Sequence, residues 1–350
     1  MIYRREIDGL RAVAVLPVVL FHAGFELFSG GYVGVDIFFV ISGYLITTII
    51  LAELESDRFS LTGFYERRAR RILPALALVV LACIPAALWL MNPAQLTDFS
   101  NSIIAVSLFS SNLLFWRESG YFSAAAEEKP LLHTWSLAVE EQYYILFPLF
   151  LMLLWRSRRE AILPLIMLFT VASLLLAEWG WRHSPTANFY LAPTRAWELM
   201  IGAIAAFWRL HPVTTTHALR SELASLLGLV LIIVAIFVYD EGIPFPSAYA
   251  LLPTLGAALI ILHANAGNIT GRLLGHRYMV GIGLLSYSIY LWHQPLLAFA
   301  RIHLGEAPGH GLAAVLVAAT VLLAWLTWKY VEAPFRNPRR VPRRAIFAGT

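Results

Sequence analysis

The chain has 350 residues, 59% hydrophobic and only 14% charged, with 26 Lys and Arg against 22 Asp and Glu for a formal charge of +4. With a mean hydropathy of +0.68, this balance excludes a soluble enzyme and a nucleic-acid binder and points to a polytopic protein whose solvent is lipid. The single Cys83 excludes an intrachain disulfide and any multi-cysteine metal site.

Apolar runs of spanning length fall at 7–28, 32–52, 72–91, 134–155, 161–180, 194–210, 222–239, 248–263, 278–303 and 311–328. The first is too long for a signal-peptide core and is followed almost at once by the next, so it reads as a retained span. An eleventh run, 98–116, is ambiguous by length alone. Basic residues decide it: Arg4 and Arg5, then Arg67, Arg68, Arg70 and Arg71, then Arg156, Arg158 and Arg159, then Arg272 and Arg277, then Arg336, Arg339, Arg340, Arg343 and Arg344 share one side only if 98–116 does not cross. The expectation is therefore an all-α polytopic membrane protein with ten transmembrane helices, both ends cytoplasmic, and an outer loop 92–133 holding a re-entrant or interfacial helix rich in Ser and Asn. Residues 1–338 read as one transmembrane domain and 339–350 as a cytoplasmic tail. In that tail Ala345, Ile346, Phe347 and Ala348 resemble the start of an eleventh span or, alternatively, a bare apolar end.

In the first span, Arg11 and His22 are eleven residues apart in an apolar context. At helical pitch they share nearly one face, roughly 16 Å apart, with Pro17 between them. An ionisable group in hydrocarbon is costly and usually faces a cavity, a partner or a substrate route; a histidine satisfied by a neighbouring carbonyl is the plainer alternative. The stretch GGYVGVDIFFVISGYL at 30–45 adds Asp36, the one acid among apolar residues. Asp36 can pair with His22 or Arg11, or make a purely structural bond between helices. Its four glycines allow close backbone approach.

The run FYERRARRILP at 64–74 sets Arg67, Arg68 and Arg71 at the mouth of the third span, either as a topology signal or as a bidentate grip on phosphate, with Arg68 and Arg71 one turn apart. In LLHTWSLAVEEQYY at 131–144, His133, Glu140 and Tyr144 fall near one helix face and Glu141 points away. Two adjacent carboxylates inside a span need neutralising, pairing or hydrating, which suggests substrate binding. PTRAWELMIG at 193–202 offers a structural pair of Arg195 and Glu198. SYSIYLWHQP at 286–295 brings Tyr287, Tyr290, Trp292 and His293 to an outer boundary, as an aromatic belt or a sugar-stacking surface. Walker, dinucleotide, GxSxG and zinc-binding HExxH motifs are all missing from the sequence.

In order, RAVAVLPVVLFH, GGYVGVDIFFVISGYL, FYERRARRILP, LLHTWSLAVEEQYY, PTRAWELMIG and SYSIYLWHQP resemble the motif set of the membrane-bound acyltransferase-3 family, from about Asp8 to Phe335. The likeness is greatest to bacterial O-acetyltransferases of lipopolysaccharide O-antigen or peptidoglycan, whose membrane part is often followed by an extra span and an exported SGNH-type domain. The resemblance implies ten spans in the bacterial inner membrane, an acetyl-coenzyme A donor on the cytoplasmic side, no metal, and an envelope glycan such as O-antigen as acceptor. It carries the family's catalytic motif onto Arg11 and His22 and its paired arginines onto Arg68 and Arg71, and makes Glu140 and Trp135 candidates for acceptor binding. On that reading His22 is a general base or an acyl-accepting nucleophile, with Asp36 its orienting partner. Rival readings are a glycolipid transporter or flippase and a membrane scaffold for an exported domain; paired halves with matching interruptions, often seen in transporters, are not found in the sequence.

Overall fold

A computed structural model of the protein describes residues 3–119, 126–210, 218–337 and 340–343. Among these residues all regular structure is helical and none is strand. The α-helices are α1 (Arg5–His22), α2 (Gly34–Glu55), α3 (Leu61–Leu90), α4 (Pro93–Ser107), α5 (Ser111–Glu118), α6 (Thr134–Ser157), α7 (Ile162–His183), α8 (Pro185–Tyr190), α9 (Ala192–Leu210), α10 (Ala218–Val238), α11 (Leu251–His263), α12 (Ile269–Leu274), α13 (Arg277–Leu304), α14 (His310–Thr327) and α15 (Ala333–Arg336). The expected start of an eleventh span at Ala345–Ala348 lies outside the described residues, as do Arg339 and Arg344.

Each of the ten predicted spans falls on a helix. Among the described residues six runs combine the length and apolarity needed to cross a membrane: Gly31–Glu55, Leu61–Leu90, Thr134–Ser157, Arg159–His183, Ala218–Val238 and His310–Arg336. Large apolar side chains on them face outward, as Leu146 and Leu153 do at 67% and 74% exposure, and hydrocarbon is the solvent that suits such a surface. The other four segments are helical but depart from a plain apolar span. α1, α9 and α13 reach 18, 19 and 28 residues but carry Asp8, Arg195 with Glu198, and Arg301 in buried positions. α11 has only 13 residues.

Two boundaries differ from the sequence reading. The first span does not continue to residue 28: α1 stops at His22, Gly24 takes φ +81°, and the Phe25 N–H closes back on the Leu20 carbonyl at 3.1 Å. This is a glycine-centred stop of the kind that satisfies orphan carbonyls at a helix end. His22 is thus the last residue of its helix rather than an interior one. At the other boundary, α3 begins eleven residues before the apolar run, where the Ser60 side chain accepts from the Gly63 N–H, so the basic run is helical. The run 98–116 splits into α4, opened by a reciprocal Asn92–Gln95 cap, and α5, with Phe109 at φ +50° in the break. Neither piece, at 15 and 8 residues, has the length of a span.

The chain divides into two compact units, one formed by Met1–Phe21, Phe25–Asp57 and Ser136–Leu284, the other by His22–Gly24, Arg58–Trp135 and Leu285–Thr350. In the first, α2 lies directly on α9. A Cβ built at Gly43 would sit 1.8 Å from the Leu199 carbonyl oxygen, and one at Gly202 2.0 Å from that of Val40, so the two backbones touch. In the second, the buried Arg70 binds Glu66 at 2.8 Å and donates to the carbonyls of Val341 at 2.7 Å and Phe335 at 3.4 Å, which anchors the segment after α15 to α3. α14 passes into a π-helical turn, Trp328–Glu332, that delivers Glu332 to Ser288 and Arg336.

Candidate active site

The second unit gathers residues from three distant motifs. His22 ends α1, His133 immediately precedes α6, and His293 lies in α13. The ring centroids of His22 and His293 are 5.2 Å apart, and those of His133 and His293 5.4 Å apart. Tyr290 completes the group at 5.3 Å from both His133 and His293. Its hydroxyl donates to the His133 backbone carbonyl at 2.8 Å. His293 and His133 are buried, at 0% and 4% exposure, whereas His22 is half-buried. Among the described residues no group of three or more His, Cys, Asp or Glu side chains is arranged to hold a metal ion.

One participant escaped the sequence reading. Arg301, buried in α13, donates from Nη2 to the His22 backbone carbonyl at 2.6 Å and lies 3.2 Å from a Glu127 carboxylate oxygen through Nε. It supplies a cation where the helix leaves a carbonyl without an intrahelical partner, and so fixes the end of α1 that carries the imidazole. The signal was present: Arg301 is an arginine near the end of an apolar run, two turns after His293. Trp135, in the first turn of α6, is also buried in this unit.

The first unit holds the other expected residues. Asp36 does not take the partner suggested for it: its carboxylate accepts from Arg195 Nη2 at 3.0 Å, and the same nitrogen lies 3.2 Å from Glu198. All three side chains are at most 1% exposed, and the guanidinium also lies 5.4 Å over the Phe39 ring. The Arg195 guanidinium thus ties Asp36 of α2 to α9 within the first unit. The one-turn Arg195–Glu198 pair appears as the spacing implied. Glu140 accepts hydrogen bonds from Ser42 Oγ and Tyr144 Oη, both at 3.0 Å, so the expected face of α6 is a polar cluster. Arg11 sits 3.7 Å from Asp8, whose other oxygen accepts from Tyr3 at 2.6 Å. In the second unit Arg67 is exposed, Arg68 and Arg71 are half-buried, and Arg70 is committed to backbone anchoring.

Comparison with known proteins gives a family. The family described as "Acyltransferase domain" matches residues 4–329. The chain is 33% identical over 353 residues to "Peptidoglycan O-acetyltransferase OatA" of Listeria monocytogenes, covering 96% of this chain and 56% of that protein. It is 32% identical over 357 residues to "Putative peptidoglycan O-acetyltransferase YrhL" of Bacillus subtilis, covering 96% and 55%. The chain thus spans about half the length of the curated relatives it matches. No solved structure matches.

Proposed function

The chain belongs to the acyltransferase-3 family, and from that premise we propose that it transfers an acetyl group from cytoplasmic acetyl-coenzyme A to a hydroxyl of an envelope glycan. The relatives' names favour peptidoglycan over the lipopolysaccharide O-antigen that the motifs alone put first. The observation that carries the reading is the meeting of His22, His133 and His293, three imidazoles from separate motifs, two of them buried and His22 half-buried. Buried imidazoles need a reason beyond packing, and moving a proton is the chemistry they do best near neutral pH.

On the ten-span topology the three histidines belong to the outer parts of their segments and the basic start of α3 to the inner side. The donor's nucleotide phosphates bind Arg68 and Arg71 with help from Arg67, because paired guanidiniums match phosphate oxygens bidentately. The slender pantetheine arm carries the thioester to His22, which draws the proton from an acceptor hydroxyl arriving from outside. The hydroxyl oxygen bonds the acyl carbon, the C–S bond breaks, and the proton leaves on the thiol. Glu140 with Tyr144, together with Trp135 and His133, are the acceptor-binding candidates, and Arg11 holds or polarises the donor route.

The test is acetyl transfer by membranes given labelled acetyl-coenzyme A and peptidoglycan fragments. His22→Ala is expected to fold and to lose about 100-fold or more of the rate. Arg68→Ala and Arg71→Ala are expected to weaken coenzyme A binding in a direct titration. Full activity in His22→Ala, or wild-type membranes that move the glycan without acetylating it, would reject the enzyme reading in favour of a transporter.

A further inference from the structure

His293 is tied on one side only. Its Nδ1 is 2.6 Å from the Tyr290 backbone carbonyl, which can only accept, so Nδ1 carries the proton in that bond. In the neutral ring Nε2 is then a bare acceptor. It is buried and has no hydrogen-bond partner among the described residues. A buried acceptor left without a donor is costly, because it gives up its bond to water and gains none in return. The adjacent ring is His22, with centroids 5.2 Å apart and planes inclined at 52°, so that a turn of the rings brings a nitrogen of each into hydrogen-bond distance.

We infer that His293 is the positioning residue of His22: its Nε2 accepts a hydrogen bond from one His22 N–H and thereby presents the other His22 nitrogen as the base. This deepens the proposed acyl transfer and rests on it. It gives His22 a partner on a neighbouring ring, whereas the Asp36 carboxylate accepts from Arg195. The backbone carbonyl of Tyr290 selects the His293 tautomer, His293 selects that of His22, and Arg301 holds the helix end on which His22 stands. When the acceptor hydroxyl gives its proton to His22, the imidazolium is stabilised by the same bond. The proton then passes to the departing thiolate, and His293 ends each turnover unchanged.

Two variants separate positioning from packing. His293→Phe keeps the ring's bulk and removes the acceptor; His293→Gln offers an amide oxygen near the lost Nε2. In membranes where the wild type transfers acetyl and His22→Ala does not, His293→Phe is expected to lower kcat about 100-fold with both KM values unchanged. It is also expected to displace the His22 limb of the pH–rate profile, read against the other titratable groups facing the cluster, His133, Tyr290, Arg301 and Glu127. His293→Gln is expected to recover about tenfold of the lost rate and to return the limb. Wild-type kcat in His293→Phe, or equal losses in the two variants with the limb unmoved, would overturn the inference while leaving the transferase reading intact. A readout independent of turnover is the 15N spectrum of histidine-labelled protein, in which His22→Ala is expected to shift the Nε2 resonance of His293. An unshifted resonance overturns the inference even if no acetyl transfer is found.

Discussion

Arg195 shows what a single buried charge does in this protein. Its guanidinium serves two carboxylates and faces the Phe39 ring, with all three ionisable side chains at most 1% exposed. The attraction between such groups is large, but so is the cost of stripping them of water, and the net benefit of the intact set is small. Removing one member is a different matter. Arg195→Ala is expected to cost about 3–5 kcal/mol, because Asp36 and Glu198 lose the cation they share. Thermal unfolding of purified protein in detergent measures this; a midpoint equal to wild type would show that the carboxylates find another partner. The individual ionisable residues were legible in the sequence, since each stands out in an apolar run. The one-turn pair Arg195–Glu198 was legible too, but the pairings between distant segments were not. Asp36 and Arg195 are 159 positions apart, and nothing along the chain distinguishes Arg195 from His22 as the partner of that acid. The same limit hid the grouping of His22, His133 and His293, although each had been singled out.

Helix positions followed from hydrophobicity because spanning segments must satisfy their own backbone, and all ten apolar runs are helical. Helix ends obey other rules. Gly24 cuts α1 short at His22, while the polar first turns of α3 are helical under the Ser60 cap, ahead of the apolar run. Packing between helices is also carried by glycine, and the α2–α9 contact gives a sharp expectation. At Gly202 a methyl group would meet the Val40 carbonyl at 2.0 Å, a backbone atom that cannot swing aside. Gly202→Val is therefore expected to separate the helices and destabilise the fold by about 1–3 kcal/mol or more. Gly281→Ala in α13 is the control, since a Cβ there has nothing within 4 Å. It is expected to be neutral or slightly stabilising, as Ala is in a helix interior. Unfolding midpoints of the pair decide it: if both variants match wild type, the close approach of α2 and α9 is not required.

For the whole molecule, hydropathy and charge make different claims. Apolarity and length single out six crossing helices. Under the expected ten crossings the arginine clusters share one side, because an even number of transits between successive clusters returns each to the same side. Two of the four additional segments hold groups that matter most for the proposed chemistry: α1 ends in His22, and α13 carries His293 and Arg301. On the ten-span expectation, weak hydropathy in those segments is the cost of polar function inside the bilayer. The chain's one cysteine, Cys83, is buried, so a Cys83→Ala background is blank to thiol reagents. Single cysteines at the exposed positions 58, 158 and 272 are expected to react with a membrane-impermeant maleimide only after the cytoplasmic face is opened. Those at 94, 241 and 306, equally exposed, are expected to react in intact cells. A cysteine at 272 labelled from outside would reverse α11 or an earlier segment and break the ten-span count. It would also move His293 away from the face at which the glycan is expected to arrive.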